Sequence, residues 1–333
     1  MKTIGITTTV PTEILLAAGY NPVDLNNLFI TNPDKERLVN IAERDGFPTN
    51  CCTWIKGIYG VCIEYRIDTV LCVTGGDCSN TLMLVEVLNL KGINALPFSY
   101  PDHPDVNLMQ KSLEKLTEML GTTLGKAEDV RRKLNKVRML AHKLDDLTWR
   151  DGVVSGWENH LWLVSTSDFI GDVAEYKRRL QGLLSQTKER SAYPDDFIRL
   201  AYIGVPSVFT EDFYHYLERN GARVVFNETQ RQFAMPDTGS SLAKQYCNYT
   251  YPYSTSYRLS DIMPQLRQRQ IDGVIHYVQA FCHRGISDII FRHTIDLPTL
   301  TLEGNADFTL THQLRTRIEA FLEMLCRPGI KCQ

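Results

Sequence analysis

The chain lacks a long hydrophobic run, an excess of one charge and a signal sequence. No stretch approaches the roughly 18 apolar residues of a membrane-spanning helix, so we expect no membrane partner. Its 36 Lys and Arg residues face 39 Asp and Glu residues, for a net charge of −3, which does not suit nucleic-acid binding. No long apolar core follows Met1–Ile4, so the sequence predicts a cytoplasmic protein.

The short motifs of structural zinc sites and of nucleotide hydrolases are also absent. None of the nine cysteines forms a CxxC pair, and the chain contains no GxxxxGK(S/T) run. Without a secretion signal, so many cysteines argue against a disulfide framework and favour metal or redox chemistry. Since the chain lacks the phosphate-binding motif, any ATP hydrolysis that the protein requires must come from a partner protein.

Five of the nine cysteines lie between Thr49 and Asn80. Within this stretch, Ile67–Val73 is mostly apolar and β-branched, which is typical of a buried parallel strand. The pair Gly75-Gly76 then breaks the strand, and Cys78 follows in the predicted turn. Because open α/β sheets bind ligands outside the carboxyl ends of their strands, Cys78 is placed where a ligand would be.

The same pattern recurs at Ile271–Cys282. Ten positions separate Asp272 from Cys282, as they separate Asp68 from Cys78. The repeat predicts two α/β halves that each present one cysteine at a strand tip. If the halves face each other, Cys78 and Cys282 converge in a cleft, where three thiolates would suit an iron–sulfur cluster. The alternative is a pair of unrelated core cysteines.

Cys51 and Cys52 are the candidates for the third thiolate. We expect a helix from about Cys51 to Tyr65, capped by Asn50, which would place both thiols in its first turn. There the helix dipole and the free N–H groups lower a thiol's pKa and favour the thiolate. The alternative is a buried cap region with unreactive thiols.

The middle of the chain differs from its two ends. Met109, Leu113 and Leu116 follow a helical period, and similar stripes continue to about residue 190. The predicted organisation is an N-terminal α/β lobe at residues 1–105, a helical subdomain at 106–195, and a C-terminal α/β lobe with a terminal helix at 196–333. The polar, tyrosine-rich segment Asp237–Thr255, which contains Cys247, is predicted to be a loop facing the cleft.

Taken together, the chain resembles the 2-hydroxyacyl-CoA dehydratase family. That family includes the cluster-bearing subunits of 2-hydroxyglutaryl-CoA dehydratase and benzoyl-CoA reductase, and the double-cubane cluster proteins. The resemblance covers nearly the whole chain in order. The matching phrases are Pro11-Thr12-Glu13-Ile14, Ala17-Ala18-Gly19-Tyr20-Asn21-Pro22-Val23, Cys52-Thr53-Trp54-Ile55-Lys56, Gly76-Asp77-Cys78, Phe281-Cys282 and Arg315-Thr316-Arg317-Ile318-Glu319-Ala320-Phe321.

The resemblance implies that the cluster cysteines are Cys52, Cys78 and Cys282. It also implies an α/β fold with two Rossmann-like (flavodoxin-like) lobes and short parallel sheets, joined by a helical subdomain, with a 4Fe-4S or larger cluster between the lobes. A homodimer and a separate ATP-hydrolysing iron–sulfur activator are expected as well. In the dehydratases, one low-potential electron from the activator turns a CoA thioester into a ketyl radical, which lets hydroxide leave.

Additional cysteines favour the double-cubane branch of the family. A double-cubane 8Fe-9S cluster takes more cysteines than a single cubane, and Cys51 and Cys247 are the first candidates. We therefore predict an iron–sulfur reductase acting on a small molecule. The alternatives are a 2-hydroxyacyl-CoA dehydratase with one 4Fe-4S cluster, a non-catalytic electron-relay protein, and a small-ligand binding protein. His283 is a candidate proton donor beside Cys282, or a residue that only supports this cysteine.

Overall fold

A computed structural model describes residues 2–326 of the chain. It contains eight strands: β1 Lys2–Ile6, β2 Tyr20–Asp24, β3 Thr69–Gly75, β4 Asn94–Ser99, β5 Ile198–Gly204, β6 Ala222–Asn227, β7 Gly273–Gln279 and β8 Thr299–Gly304. The α-helices up to the end of the helical middle are α1 Thr12–Ala17, α2 Leu25–Thr31, α3 Lys35–Arg44, α4 Thr53–Glu64, α5 Asn80–Leu90, α6 Val106–Leu120, α7 Leu124–Trp149, α8 Gly156–Val164 and α9 Val173–Gln186. The later helices are α10 Thr210–Arg219, α11 Glu228–Phe233, α12 Leu242–Asn248, α13 Thr255–Gln268, α14 Ser287–Thr294 and α15 His312–Leu325. Among the described residues, no helix has both the length and the apolar character needed to cross a membrane.

The strands form two four-stranded parallel sheets of the same connectivity. The first has the order β2-β1-β3-β4, and the second has the order β6-β5-β7-β8. In both sheets the chain places its second strand on one side of the first and its third strand on the other. This arrangement is that of two Rossmann-like lobes, and it confirms the predicted fold class.

The chain divides into two compact units. The first unit comprises residues 2–140, Ser165–Arg179 and Gln232–Ser254, and it contains the first sheet. The second unit comprises Ala141–Val164, Leu180–Arg231 and residues 255–326, and it contains the second sheet. The division into three consecutive domains stays a prediction.

Mostly apolar runs explain why the central strands are buried on both faces. Val70–Val73 of β3 are all buried, and so is every residue of β7. Helices cover both faces of such parallel sheets, so polar–apolar alternation is not required. In the second unit, Val274 of β7 packs in one cluster with Ile262 of α13 and Phe291 of α14. The strand that carries the repeated phrase therefore runs through the core.

The predicted helical character of the middle segment agrees with the structure. Met109, Leu113 and Leu116 are buried along α6, and an Asp105 side chain caps this helix by accepting from two backbone N–H groups. The segment continues through α7, α8 and α9. The apolar period was therefore a correct indicator of helices in this part of the chain.

The predicted loop at Asp237–Thr255 is wrong, because α12 lies within it. Ser241 caps this helix and accepts a hydrogen bond from the Lys244 N–H at 3.2 Å. Leu242, Ala243 and Tyr246 then bury one face of the helix. The polar and aromatic composition concealed a helix of less than two full turns, which tertiary burial stabilises rather than intrinsic propensity.

Candidate metal centre

The topological switch point of the first sheet lies between β1 and β3. The chain leaves these neighbouring strands toward opposite sides of the sheet, and such a switch point is the usual ligand position in open α/β sheets. Beyond the paired residues, the Thr7 hydroxyl accepts a hydrogen bond from the Val73 N–H at 3.0 Å. This bond holds the two strand ends together where the site begins.

Cys78 lies in the turn between β3 and α5, as predicted. Gly76 has φ +95°, and a Cβ atom there would approach Tyr100 and Pro252 at 2.9 Å, so this position requires glycine. Cys78 is half-buried, and its carbonyl accepts the Thr81 N–H at 3.1 Å. The cysteine is thereby held at the start of α5.

Cys52 is the N-cap residue of α4, two positions later than expected for the cap. It is buried, and its carbonyl accepts the first helical hydrogen bond from Lys56 at 3.2 Å. The predicted cap at Asn50 is therefore wrong, because the chain still bends at Cys51 before the helix begins at Thr53. Cys52 nevertheless stands at the positive end of the helix dipole, where a thiolate is stabilised.

The surroundings of Cys52 fit a cofactor that accepts hydrogen bonds. The Thr53 hydroxyl and the Trp54 indole N–H are buried next to Cys52 in sequence, and neither has a hydrogen-bond partner among the described residues. Buried donors without partners are costly. The sulfur atoms of an iron–sulfur cluster accept such bonds, and soft thiolates suit its iron. The donor chemistry at this helix start thus fits the group that the resemblance implies.

Cys51 does not have the environment that was predicted for it. It is half-buried in the bend before α4, outside the helix. Burial raises the pKa of its thiol, and the nearby Lys56 ammonium offsets this only in part. The predicted first-turn position, and with it the lowering of the Cys51 pKa, is therefore wrong.

Cys247 lies in the first unit, on α12 rather than in a loop. Its side chain is buried, and the Tyr253 hydroxyl is a hydrogen-bond partner of the thiol. Burial raises its pKa, opposed by the Lys244 ammonium. This environment favours a neutral thiol in the described structure.

Cys282 occupies in the second unit the place that Cys78 occupies in the first. It follows β7 by three residues, its N–H donates to the Gln279 carbonyl at 3.0 Å, and it is half-buried. Phe281 before it has φ +63°, which produces a sharp turn at the strand tip. His283 is exposed and begins a 3-10 turn that leads into α14. The structure thus places both repeated cysteines after the third strand of their sheets.

Cys62 and Cys72 are core residues. Both are completely buried in the first unit, on α4 and β3. Burial raises the pKa of Cys72 to about 12. Burial raises the pKa of Cys62 further, and the nearby Cys72 thiol adds to this rise. Thiols held in the protonated form are poor ligands.

The structure does not itself assemble a metal centre. Within residues 2–326, no three His, Cys, Asp or Glu side chains stand together in a way that could hold a metal ion. Cys52 and Cys78 belong to the first unit and Cys282 to the second. The convergence of these three cysteines on one cluster, and every ligand role named above, stays a prediction.

Sequence reasoning missed the polar and aromatic side chains that surround the Cys78 turn. Tyr100 packs against Gly76, and its hydroxyl donates to the Thr9 carbonyl at 2.9 Å. The Tyr249 ring lies tilted against that of Tyr100, with ring centroids 5.8 Å apart. The run Thr7-Thr8-Thr9 after β1 was the available signal, since three hydroxyls at a carboxyl strand end mark a polar site.

Two equivalent sheets, each with a cysteine at a strand tip, define an α/β protein built to bring thiols to its carboxyl edges. Comparison with family models agrees: the model described as "2-hydroxyglutaryl-CoA dehydratase, D-component" matches residues 7–325. The chain belongs to this family, whose members are iron–sulfur components of dehydratase-type enzymes. A search of curated proteins returned no match.

Proposed function

We propose that this protein is the cluster-bearing component of a 2-hydroxyacyl-CoA dehydratase-type enzyme, with Cys52, Cys78 and Cys282 as the protein ligands of one 4Fe-4S cluster. The observation that carries the proposal is the equivalent placement of Cys78 after β3 and Cys282 after β7. Random core cysteines have no reason to occupy the same position in two copies of one fold. Family membership supports the same reaction class.

The three cysteines differ in their burial and in the groups that surround them. Cys52 has the helix dipole of α4 and two neighbouring donors, so it suits a permanently ionised ligand. Cys78 and Cys282 are half-buried, so they are less shielded and can reach a group outside the sheet edge. Such a cluster, when bound, supplies a low-potential electron, and three ligands leave one iron open to a substrate. His283, exposed beside Cys282, is the proposed proton donor.

The electron must come from outside the chain. No GxxxxGK(S/T) motif is present in the sequence, so we propose a separate ATP-hydrolysing iron–sulfur activator as the partner. We further propose that the protein is a cytoplasmic homodimer that acts on a small molecule. It is expected to have no nucleic-acid or membrane partner. Steady ATP hydrolysis by the purified chain alone would contradict the need for an activator.

A double-cubane reductase is the second candidate. Cys51 favours it, because this half-buried thiol adjoins Cys52 and lies outside the helix, where its direction is not tied to the helical period. Cys247 would be a further ligand of the 8Fe-9S cluster, but it is buried beside Tyr253. With Cys62 and Cys72 in the core as well, the described cysteines suit one cubane better than two.

Iron and sulfide analysis after anaerobic reconstitution, with EPR of the reduced protein, tests the proposal. The parent should hold about four irons per chain, and each of the Cys52→Ala, Cys78→Ala and Cys282→Ala variants should lose the cluster signal. Cys72→Ala is the matched control, since this thiol is buried in mid-strand, and it should retain the iron. Circular dichroism checks that every variant is folded.

The possible results separate the two candidates. Full iron content in the Cys282→Ala protein would contradict the ligand assignment. About eight irons per chain, with a loss in Cys51→Ala, would favour the double-cubane reductase instead. No iron in the parent would favour a binding protein without a cluster.

A further inference from the structure

One segment of the first unit is flanked in sequence by residues of the second. Gln232–Ser254 belongs to the first unit, while the residues directly before and after it belong to the second. The Gln232 side-chain oxygen accepts a hydrogen bond from the Thr250 N–H at 2.9 Å, which ties the two ends of the segment together. We call Gln232–Ser254 the strap. A segment with its ends tied together can open as one piece while the sheet beneath it stays folded.

The strap covers the turn that carries Cys78. Pro252 lies against Gly76, where a Cβ atom would be 3.1 Å from the Pro252 carbonyl oxygen. The Tyr249 ring lies against that of Tyr100, which also contacts Gly76. Cys78 follows Gly76 by two residues. Access to this turn therefore depends on the position of the strap.

Two side chains of α7 hold the first part of the strap. Arg131 donates to all three backbone carbonyls of Thr238–Ser240, at 3.1, 3.2 and 3.2 Å. Glu128 accepts a hydrogen bond from Arg131 at 2.5 Å and another from the Leu242 N–H at 2.5 Å. A planar guanidinium with several donors can hold three carbonyls at once, which a single ammonium group cannot do in the same way. The Glu128–Arg131 pair is thus the fastening of the strap.

α12, which lies within the strap, depends on such contacts. It has seven residues, which is too short for a stable isolated helix. Burial of Leu242 and Ala243 keeps the closed position favourable. The polar contacts are less complete: Glu13 accepts the Gln245 side-chain N–H at 2.9 Å, but the Gln245 Oε1 atom is buried without a hydrogen-bond partner among the described residues. Water would supply that partner in an open strap, which lowers the cost of opening.

We propose that the strap is a lid over the Cys78 turn, closed in this structure and released when the contacts between Arg131 and Thr238–Ser240 break. Opening exposes the Cys78 turn and the Cys247 thiol of α12, while β3 stays paired in its sheet. The opening itself needs no cluster, so its failure and the failure of the proposed function are separate results. Only the role of the lid in admitting a ligand to Cys78 rests on the proposed function.

The test is labelling of the reduced, metal-free full chain with N-ethylmaleimide under native conditions. Peptide mass spectrometry gives the labelling rate of each cysteine. Cys247 is 5% exposed and Cys72 is completely buried, but only Cys247 lies on the strap. If the strap opens locally, Cys247 should be labelled at least about tenfold faster than Cys72, which requires opening of the sheet. This comparison within the parent protein needs no variant.

Arg131→Met removes the fastening. Because it deletes several hydrogen bonds from a charged donor, it should accelerate the labelling of Cys247 by about tenfold or more and that of Cys78 severalfold. Cys282, which is half-buried at the equivalent place in the second unit, should keep the labelling rate of the parent. Arg132→Met is the matched control, since Arg132 is exposed on the same helix, and it should change none of these rates.

Ser241→Ala is a second, milder variant, which tests the lid even if Arg131→Met fails to fold. The Ser241 side chain caps α12 by accepting the Lys244 N–H at 3.2 Å. Loss of an N-cap weakens a helix by about 1 kcal/mol, so the labelling of Cys247 should accelerate about fivefold. The labelling rate of Cys72 should stay that of the parent.

Three outcomes would overturn the inference. Equal labelling rates of Cys247 and Cys72 in the parent would mean that the strap opens only when the whole unit unfolds. Equal acceleration of Cys247 and Cys72 in Ser241→Ala would show a loss of overall stability instead of a released lid. Faster labelling of Cys247 without any change at Cys78 in Arg131→Met would refute the cover over the Cys78 turn.

Discussion

The buried carboxyl pair Asp24 and Asp168 should make the first unit less stable as the pH rises. Asp168 accepts the Asp24 N–H at 2.8 Å and the Ile170 N–H at 2.9 Å, and both carboxyl groups are almost completely buried. Burial, followed by the nearby Asp24 carboxylate, raises the pKa of Asp168 from 3.8 to about 7. Burial also raises the pKa of Asp24.

The sign follows from proton binding. Between pH 3.8 and about 7 the folded state holds a proton on Asp168 that the unfolded state has released, so unfolding becomes easier as the pH rises through this window. A shift of about three units corresponds to a loss on the order of 4 kcal/mol of unfolding free energy, at about 1.4 kcal/mol per unit. Below pH 3.8 the protonated Asp168 contributes this unfolding free energy in full, and above about pH 7 the contribution is lost.

Asp168→Asn should remove most of this dependence. The substitution eliminates the charge, although the amide has one acceptor oxygen where the carboxyl group has two, at a cost of about 1 kcal/mol. At pH 8 the variant should therefore be more stable than the parent by a few kcal/mol, and at pH 5 it should be equal or less stable. Urea unfolding at the two pH values measures both differences.

Asp129→Asn is the control for this experiment. This residue is exposed on α7 beside Arg132, where an ion pair contributes little to stability. Its pH dependence should equal that of the parent. If Asp168→Asn unfolds with the same pH dependence as the parent, the pKa of Asp168 is not raised in the folded protein and the reasoning fails.

Two further substitutions test a buried ion pair and the close approach of Gly204 to the backbone of β7. Arg138→Met should lower the unfolding free energy by about 3–5 kcal/mol, because it leaves the fully buried Glu13 carboxylate without its cation. The control Arg132→Met, at an exposed ion pair, should change the unfolding free energy little. Comparable losses for the two variants in urea unfolding would contradict this prediction. Gly204→Ala should greatly reduce the melting temperature, since φ is +103° and a Cβ would lie 2.1 Å from a backbone oxygen of β7, whereas Gly182→Ala, with open space in α9, should raise it slightly.

The repeated strands show what a local pattern is sufficient to predict. Ile67–Val73 and Ile271–Cys282 are mostly apolar segments that lead into a turn, and such a pattern is sufficient to predict a buried parallel strand. The positions of Cys78 and Cys282 at the strand tips followed directly. The amphipathic stripe of α6 was equally readable, because one face of a helix must be apolar to pack.

The start of α4 and the presence of α12 could not be read in the same way. Asn50 and Cys52 are two residues apart, and each could be the N-cap of the helix. The bend of the chain at Cys51 decides that Cys52 is the cap. The helix at Leu242–Asn248 is short and lies in a polar, tyrosine-rich segment, so its pattern resembles that of a loop. Burial of its apolar face against the rest of the first unit decides its structure.

Local patterns along the chain were sufficient to predict the fold class, the repeat of two sheets, and the cysteines at strand and helix ends, because each of these depends on residues that are neighbours in sequence. The pairing of buried polar groups, in contrast, depends on the three-dimensional packing of the chain. Glu13 meets Arg138 across 125 positions of sequence, and Asp145 meets Arg269 across 124, with no local pattern that joins either pair. Such pairs arise because packing of distant elements, and not local propensity, chooses the environment of each buried group.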